Sequence, residues 1–116
     1  GTVLCKVFTE LRDGNTTFGR QIGSYPLLVG IPYPVDIGRF VDVKVVGWGY
    51  RSVTAIEHPL RINSCPLKAL EALPGVGRKR AIRLFNKRPM KNMADLTKAL
   101  DDAQIAKDLD GLVAFD

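Results

Sequence analysis

The chain has 116 residues, 46% of them hydrophobic, with a mean hydropathy of +0.01 and a formal net charge of +5. That is ordinary globular material for one domain or two very small ones; no apolar run approaches the ~20 residues of a membrane span and no signal-like leader opens it, so a cytoplasmic protein is expected. Two cysteines, Cys5 and Cys65, are too few for a disulfide framework, and with His58 they offer no metal-ligand spacing.

The first half reads as β. Val3 to Leu11 alternates loosely and ends at the turn cluster Arg12-Asp13-Gly14-Asn15, and Thr16 to Ile22 forms a second short strand. After Gly23-Ser24-Tyr25-Pro26, the compact apolar run Leu27 to Ile31 has the form of a buried strand. Gly30, Pro32, Pro34 and Gly38 punctuate a loop, after which Phe40 to Val46 alternates well. Gly47-Trp48-Gly49 closes a hairpin into Tyr50 to Glu57. Five short strands with turn signals between them predict a small closed barrel over 1–60, because closure removes exposed edges.

Residues 61–116 read as helical. Leu60 and Ile62 are apolar anchors of a short link, and Ser64 is a candidate N-cap ahead of Pro66 in a first turn. Leu67, Leu70 and Leu73 recur every three residues, and Pro74 ends that helix because it cannot donate and disfavours helical geometry before it. Gly75-Val76-Gly77 permits a tight reversal with positive φ. The next helix is expected to turn Ala81, Ile82 and Phe85 inward and Arg78, Lys79, Arg83 and Lys87 outward. Asn92 can cap a helix over Met93 to Leu100 with Asp95 as its partner, Asp101-Asp102 interrupts, and Ala103 to Leu109 forms a last helix closed by Gly111. Met93, Leu96, Leu100, Ile105 and Leu109 are expected to complete a core.

Charge is unevenly placed. Residues 1–60 carry a net +1, 61–91 carry +8 with Glu71 as the one acid, and 92–116 carry −4. The positive field therefore surrounds Gly75-Val76-Gly77, where the second helix also presents amide donors without internal partners. Free donors, a positive helix end, no obstructing side chains and Arg78, Lys79, Arg80 and Arg83 close by make an anion site, for which a nucleic-acid phosphate is the obvious occupant. Three other readings exist. A dinucleotide fingerprint would need a third glycine where Arg80 stands and a preceding strand where a helix is predicted. The turn can also be purely structural, its cations merely solvated. The third is enzymatic and follows from a resemblance.

Leu73-Pro74-Gly75-Val76-Gly77-Arg78-Lys79-Arg80-Ala81 resembles the helix-hairpin-helix motif, which implies sequence-independent binding of a DNA or RNA backbone. It is similar also to the hairpin of bifunctional DNA glycosylases, in which Lys79 would match the nucleophile. Those enzymes add a Gly/Pro-rich loop, an aspartate and a large helical body that holds a flipped base. Asp95 lies at a loosely similar distance but within a helical pattern, and 116 residues are short for that body. The β half resembles the TRAM domain, a small OB-like barrel attached to RNA-modifying enzymes, through its early Gly-containing turn, the strand Leu27 to Ile31, a Pro/Gly connection and the strand FVDVKVV. The order of parts resembles the C-terminal region of a group of archaeal radical SAM proteins. This implies an attached catalytic domain with an iron–sulfur cluster on Cys-x3-Cys-x2-Cys and S-adenosylmethionine. Neither Cys5 nor Cys65 belongs to such a motif, so no cofactor and no catalytic residue is expected in this chain.

The expected fold is thus β + α: a five-stranded OB-like or TRAM-like barrel (1–60), then a small all-α helix-hairpin-helix domain (61–116) with an acidic, degenerate second half. The expected function is monomeric, non-enzymatic nucleic-acid binding, RNA favoured over DNA. Its candidate contacts are Gly75, Val76, Gly77, Arg78, Lys79, Arg80, Arg83 and Lys87, with Trp48, Tyr50 and Arg51 on the barrel beside Arg20, Tyr33 and Arg39. Aromatic platforms beside cations are how unpaired bases are held. Lys98 and Lys107, in the acidic tail, are expected to matter little. The competing class is a structural or docking module that never touches nucleic acid.

Overall fold

The chain alternates strands first and helices second, and a computed structural model describes residues 4–21, 28–48 and 52–115. It divides into two units, Gly1–His58 and Pro59–Asp116.

In the first unit β1 (Leu4–Asp13), β2 (Thr16–Gln21), β3 (Leu28–Ile31), β4 (Phe40–Trp48) and β5 (Ser52–Glu57) close a barrel in the order β1-β2-β3-β5-β4. All pairs are antiparallel except β3 with β5. The order and closure fit an OB-like barrel. Alternation places Val7, Val29, Ile31, Val43, Val45, Val53 and Ala55 inside, each 2% exposed or less. Each buried branched side chain is worth about 1.5–3 kcal/mol relative to its exposed state. Gly19 is a packing requirement: a Cβ there would lie 2.5 Å from the Phe8 carbonyl oxygen, which as backbone cannot give way. Register shifts between Thr9 and Leu11 on β1 and between Val45 and Gly47 on β4 mark bulges, the usual device for bending a strand around a small barrel.

Two buried threonines hold the connection between β3 and β4. The Thr17 hydroxyl donates to the Tyr33 carbonyl at 3.0 Å and accepts from the Val35 amide at 2.8 Å. The Thr9 hydroxyl donates to the Asp36 carbonyl at 2.7 Å and accepts from the Arg39 amide at 3.1 Å. Tyr33 is itself buried, its hydroxyl accepting from the Glu57 amide at 2.8 Å. It is therefore a core residue, not the stacking platform expected from sequence, because an aromatic body can be buried once its hydroxyl finds a partner.

The second unit holds α1 (Leu67–Ala72), α2 (Gly77–Lys87), α3 (Met93–Leu100) and α4 (Ala103–Leu109). It is not all-α. Leu60–Arg61 (β6) pairs in parallel with Val113–Ala114 (β7), so the two ends of the unit are tied together. Asn63 adds a clamp: its amide donates to the Met90 carbonyl and accepts from the Met90 amide, both at 2.7 Å, and it also reaches the Phe115 carbonyl at 3.3 Å. Ser64 does not cap α1. Extended Pro66 takes that position with no side-chain bond, since a proline needs no donor there.

The core of this unit contains Leu60, Ile62, Leu70, Leu73, Val76, Leu84, Leu96, Leu100 and Leu109. The helical phase of α2 differs from the expectation. Ala81 and Leu84 are buried, while Ile82 and Phe85 are 40% and 44% exposed. Met93 and Ile105 are only half-buried. No helix among the described residues is long and apolar enough to cross a membrane.

Candidate nucleic-acid interface

The reversal between α1 and α2 follows from its sequence. The Leu73 amide donates to the Leu70 carbonyl at 3.2 Å and leaves the helix as an extended C-cap before Pro74. Gly75 (φ +77) and Gly77 (φ +67) then take left-handed geometry that a side-chain-bearing residue resists. Their surroundings differ. A Cβ on Gly75 would meet Ile105 of α4 at 3.4 Å, whereas one on Gly77 would meet nothing within 4 Å. Between them Val76 is buried, its amide donating to the Leu73 carbonyl at 3.1 Å, and so anchors the turn. Gly75 and Val76 thus hold the loop in place, and Gly77 leaves the start of α2 open to an approaching group.

That start is bare. No side chain caps α2 and no acid stands in its first turn. The last two helices are the opposite: Asn92 accepts from the Asp95 amide at 3.0 Å, and Asp102 accepts from the Ile105 amide at 3.0 Å. Asp95 in turn accepts from the Lys91 amide at 2.8 Å, one residue before the amide of the usual capping box. Asp101 occupies a left-handed position, φ +54, where a glycine would sit without strain.

The cations around Gly77 are not equally available. Glu71, whose side chain is 18% exposed, lies 3.4 Å from the Lys68 ammonium and 3.7 Å from the Arg78 guanidinium. The second distance is an ion pair but too long for a hydrogen bond, and Glu71 Oε1 accordingly lacks a hydrogen-bond partner. Arg80 pairs with Asp102 at 3.9 Å, and Arg83 donates to the Leu100 carbonyl at 3.3 Å. Lys79 and Lys87 are exposed and form no ion pair among the described residues. Arg88, by contrast, is structural: it donates to the Cys65 carbonyl at 2.8 Å and lies 4.2 Å over the Phe85 ring.

On the barrel, Trp48 ends β4 and is 65% exposed. Tyr50 and Arg51 lie outside the described residues. Arg20 pairs with Glu10 at 3.3 Å and Arg39 with Asp36 at 3.2 Å. Sequence reasoning missed Phe8 and Phe40, cross-strand neighbours whose rings lie 4.9 Å apart, with Phe40 60% exposed and Arg20 opposite Phe8 on the other side. The signal was there: Val7 and Thr9 point inward, so Phe8 between them faces out. Also missed was a pocket between α2 and α3 in which Lys98, expected to be inert, joins Arg83 and Lys87.

Among the described residues no group of three or more His, Cys, Asp or Glu is placed to hold a metal ion. No protein-family profile matches the chain, and no solved structure matches it. Two archaeal sequences do. An uncharacterized protein of Archaeoglobus fulgidus is 40% identical over 92 residues, 76% of this chain and 17% of that protein. An uncharacterized protein of Methanocaldococcus jannaschii is 55% identical over 56 residues, 47% of this chain and 10% of that protein. The chain therefore spans less than a fifth of the length of the relatives it matches.

Proposed function

We propose that this region binds the backbone of RNA, with little regard to sequence, through a helix-hairpin-helix-type turn between α1 and α2. The observation that carries the reading is the bare, open N-terminus of α2, with left-handed Gly75 before it, left-handed Gly77 as its first residue, no acid in its first turn and Arg78 and Lys79 within it. Backbone amides there have the direction and partial charge that a phosphate needs. Lys87 extends the positive face along the helix, while Arg80 and Arg83 divide their charge between the ligand and internal partners. Trp48 adds a platform for a base on the barrel, which we read as TRAM-like.

The small share of the longer archaeal relatives that this chain covers fits an accessory role beside further domains. The resemblance to radical SAM proteins implies that one of them is catalytic and carries an iron–sulfur cluster and S-adenosylmethionine. The present chain, with two cysteines sixty positions apart, does not supply the three-cysteine ligand set. A docking role is favoured by one observation, the exposed pair Ile82 and Phe85 on α2, which a protein partner would cover.

Titration against a labelled RNA oligonucleotide over a salt series separates the two. Neutralising about two to four phosphates on a single strand gives a slope of log K against log salt of about −1.4 to −2.8, with Kd of order 10⁻⁴ to 10⁻⁶ M near physiological salt. Reversing Arg78 and Lys79 to Glu is expected to weaken binding at least tenfold and flatten the slope, while Lys107→Glu changes neither. Unchanged affinity and slope in the double reversal would eliminate the α2 N-terminus as the contact.

A further inference from the structure

The α2–α3 pocket has a volume of about 530 Å³, within the range that small polar ligands occupy. Its charges are mixed. Arg83 and Lys87 come from α2, and Lys98 comes from α3 with Asp95; Asp101 follows at the C-cap. Buried Met90 and Ala99 supply an apolar floor. None of the three cations is paired with either carboxylate among the described residues, so the charges are not consumed by one another. Asp95 spends one oxygen on the Lys91 amide. Asp101 makes no side-chain hydrogen bond among the described residues, and it stands at φ +54, a conformation uncommon for any residue with a side chain.

This arrangement selects against a plain polyanion. Three cations attract phosphate, but a carboxylate only accepts hydrogen bonds and repels any oxyanion placed against it. A ligand that satisfies both must carry an anionic group with a hydroxyl donor beside it. A ribonucleotide unit does, because its 2′-hydroxyl neighbours the 3′-phosphate; a deoxyribonucleotide does not. An acidic side chain bonded to a ribose hydroxyl is a recurring solution on other folds, and the 2′-hydroxyl is the group that distinguishes RNA from DNA. The pocket also lies along the proposed backbone track. At ~1.5 Å rise per residue, Arg83 and Lys87 stand about 9 and 15 Å along α2 from Gly77, a reach of a few nucleotides.

Resting on the RNA-backbone reading above, we propose that this pocket takes one ribonucleotide unit of the bound strand. Its phosphate lies against Arg83, Lys87 and Lys98 and its 2′-hydroxyl donates to the Asp101 carboxylate, which makes the helical unit selective for RNA over DNA. The test uses the whole chain and single-stranded RNA, DNA and 2′-O-methyl RNA of one sequence, titrated by fluorescence anisotropy at low salt. RNA is expected to bind about five- to tenfold more tightly than the other two, the effect of one partly exposed hydrogen bond to a charged group. Asp101→Gly keeps the left-handed backbone and removes the acceptor; it is expected to bring that ratio to about one, by tighter DNA binding as well as weaker RNA binding, with helicity retained by circular dichroism. Lys98→Ala is expected to flatten the RNA salt slope by about 0.7, one phosphate. Equal binding of RNA and DNA by the native chain, or an unchanged ratio in Asp101→Gly, overturns this assignment and leaves the backbone reading standing. No binding of either polymer overturns both. Adenosine 3′-monophosphate is the remaining arm: micromolar binding of the free nucleotide with no RNA discrimination would make the pocket a small-molecule site instead.

Discussion

At the α1–α2 turn the chain reverses through Gly75 and Gly77, and at the α3–α4 turn through Asp101 and Asp102. Both turns need a residue with positive φ, and both begin a helix whose first amides require an acceptor. At the second turn the protein supplies that acceptor itself, the Asp102 carboxylate on the Ile105 amide. At the first it supplies none and places cations there instead. The difference teaches what an internal cap costs in function: a helix start already holding a carboxylate has no vacancy for a phosphate, and one left bare keeps its donors and its partial charge for a ligand.

The comparison breaks most sharply at Gly77. Gly77→Val puts a β-branched residue at φ +67, at a cost of about 1–3 kcal/mol. The added Cβ meets nothing within 4 Å, so the loss is mainly conformational, and the turn should distort with the core intact. RNA binding is expected to be lost while the far-ultraviolet spectrum stays native; native affinity with native helicity would remove the α1–α2 turn from the interface.

Asp102→Ala makes the second turn resemble the first. Loss of the N-cap is expected to cost about 1 kcal/mol, read as a shift in the midpoint of chemical unfolding. Affinity for RNA should hold or rise slightly, because Arg80 is released from its 3.9 Å ion pair. A marked fall in affinity would mean that Asp102 positions Arg80 and that the two turns act together.

The smallest expected effect sharpens the first turn. Glu71→Gln removes the carboxylate that holds Lys68 and Arg78. Both cations are more than half exposed, and pairs screened in this way are worth ~0–1 kcal/mol, so stability should barely move. The two cations should then tighten RNA about two- to threefold and steepen the salt slope, and a loosened complex would show that Glu71 aims Arg78.

Much of this contrast was legible from residues alone. Pro74, Gly75 and Gly77 punctuate so strongly that the turn and its charge could be read directly, and the alternation of Phe40 to Val46 gave its strand. What escaped depends on partners far away in the chain. Two-residue strands such as β6 and β7 have no period to detect; Leu60 and Val113 become strand residues only by finding one another. The phase of α2 was misread because Ile82, Leu84 and Phe85 are equally apolar, and only packing selects Leu84. Lys98 looked like a solvated cation in an acidic tail until the α2–α3 packing set it beside Arg83 and Lys87. Thr9 and Thr17 read as ordinary strand residues, since nothing local distinguishes a threonine that holds a distant loop.

Those two threonines have a consequence for how the barrel breathes. The segment between β3 and β4 contains Pro32, Pro34 and Gly38, a composition that ordinarily goes with early proteolysis and rapid amide exchange. Here the Val35 amide is held by the Thr17 hydroxyl at 2.8 Å, the Gly38 amide by the Thr9 carbonyl at 2.8 Å and the Arg39 amide by the Thr9 hydroxyl at 3.1 Å. Each acceptor belongs to β1 or β2, so these protons are expected to exchange with deuterium more slowly than those of an unanchored loop of the same composition. The loop is thereby pinned to the strands beneath it, and deuterium exchange at these three amides reads how often that anchoring lets go.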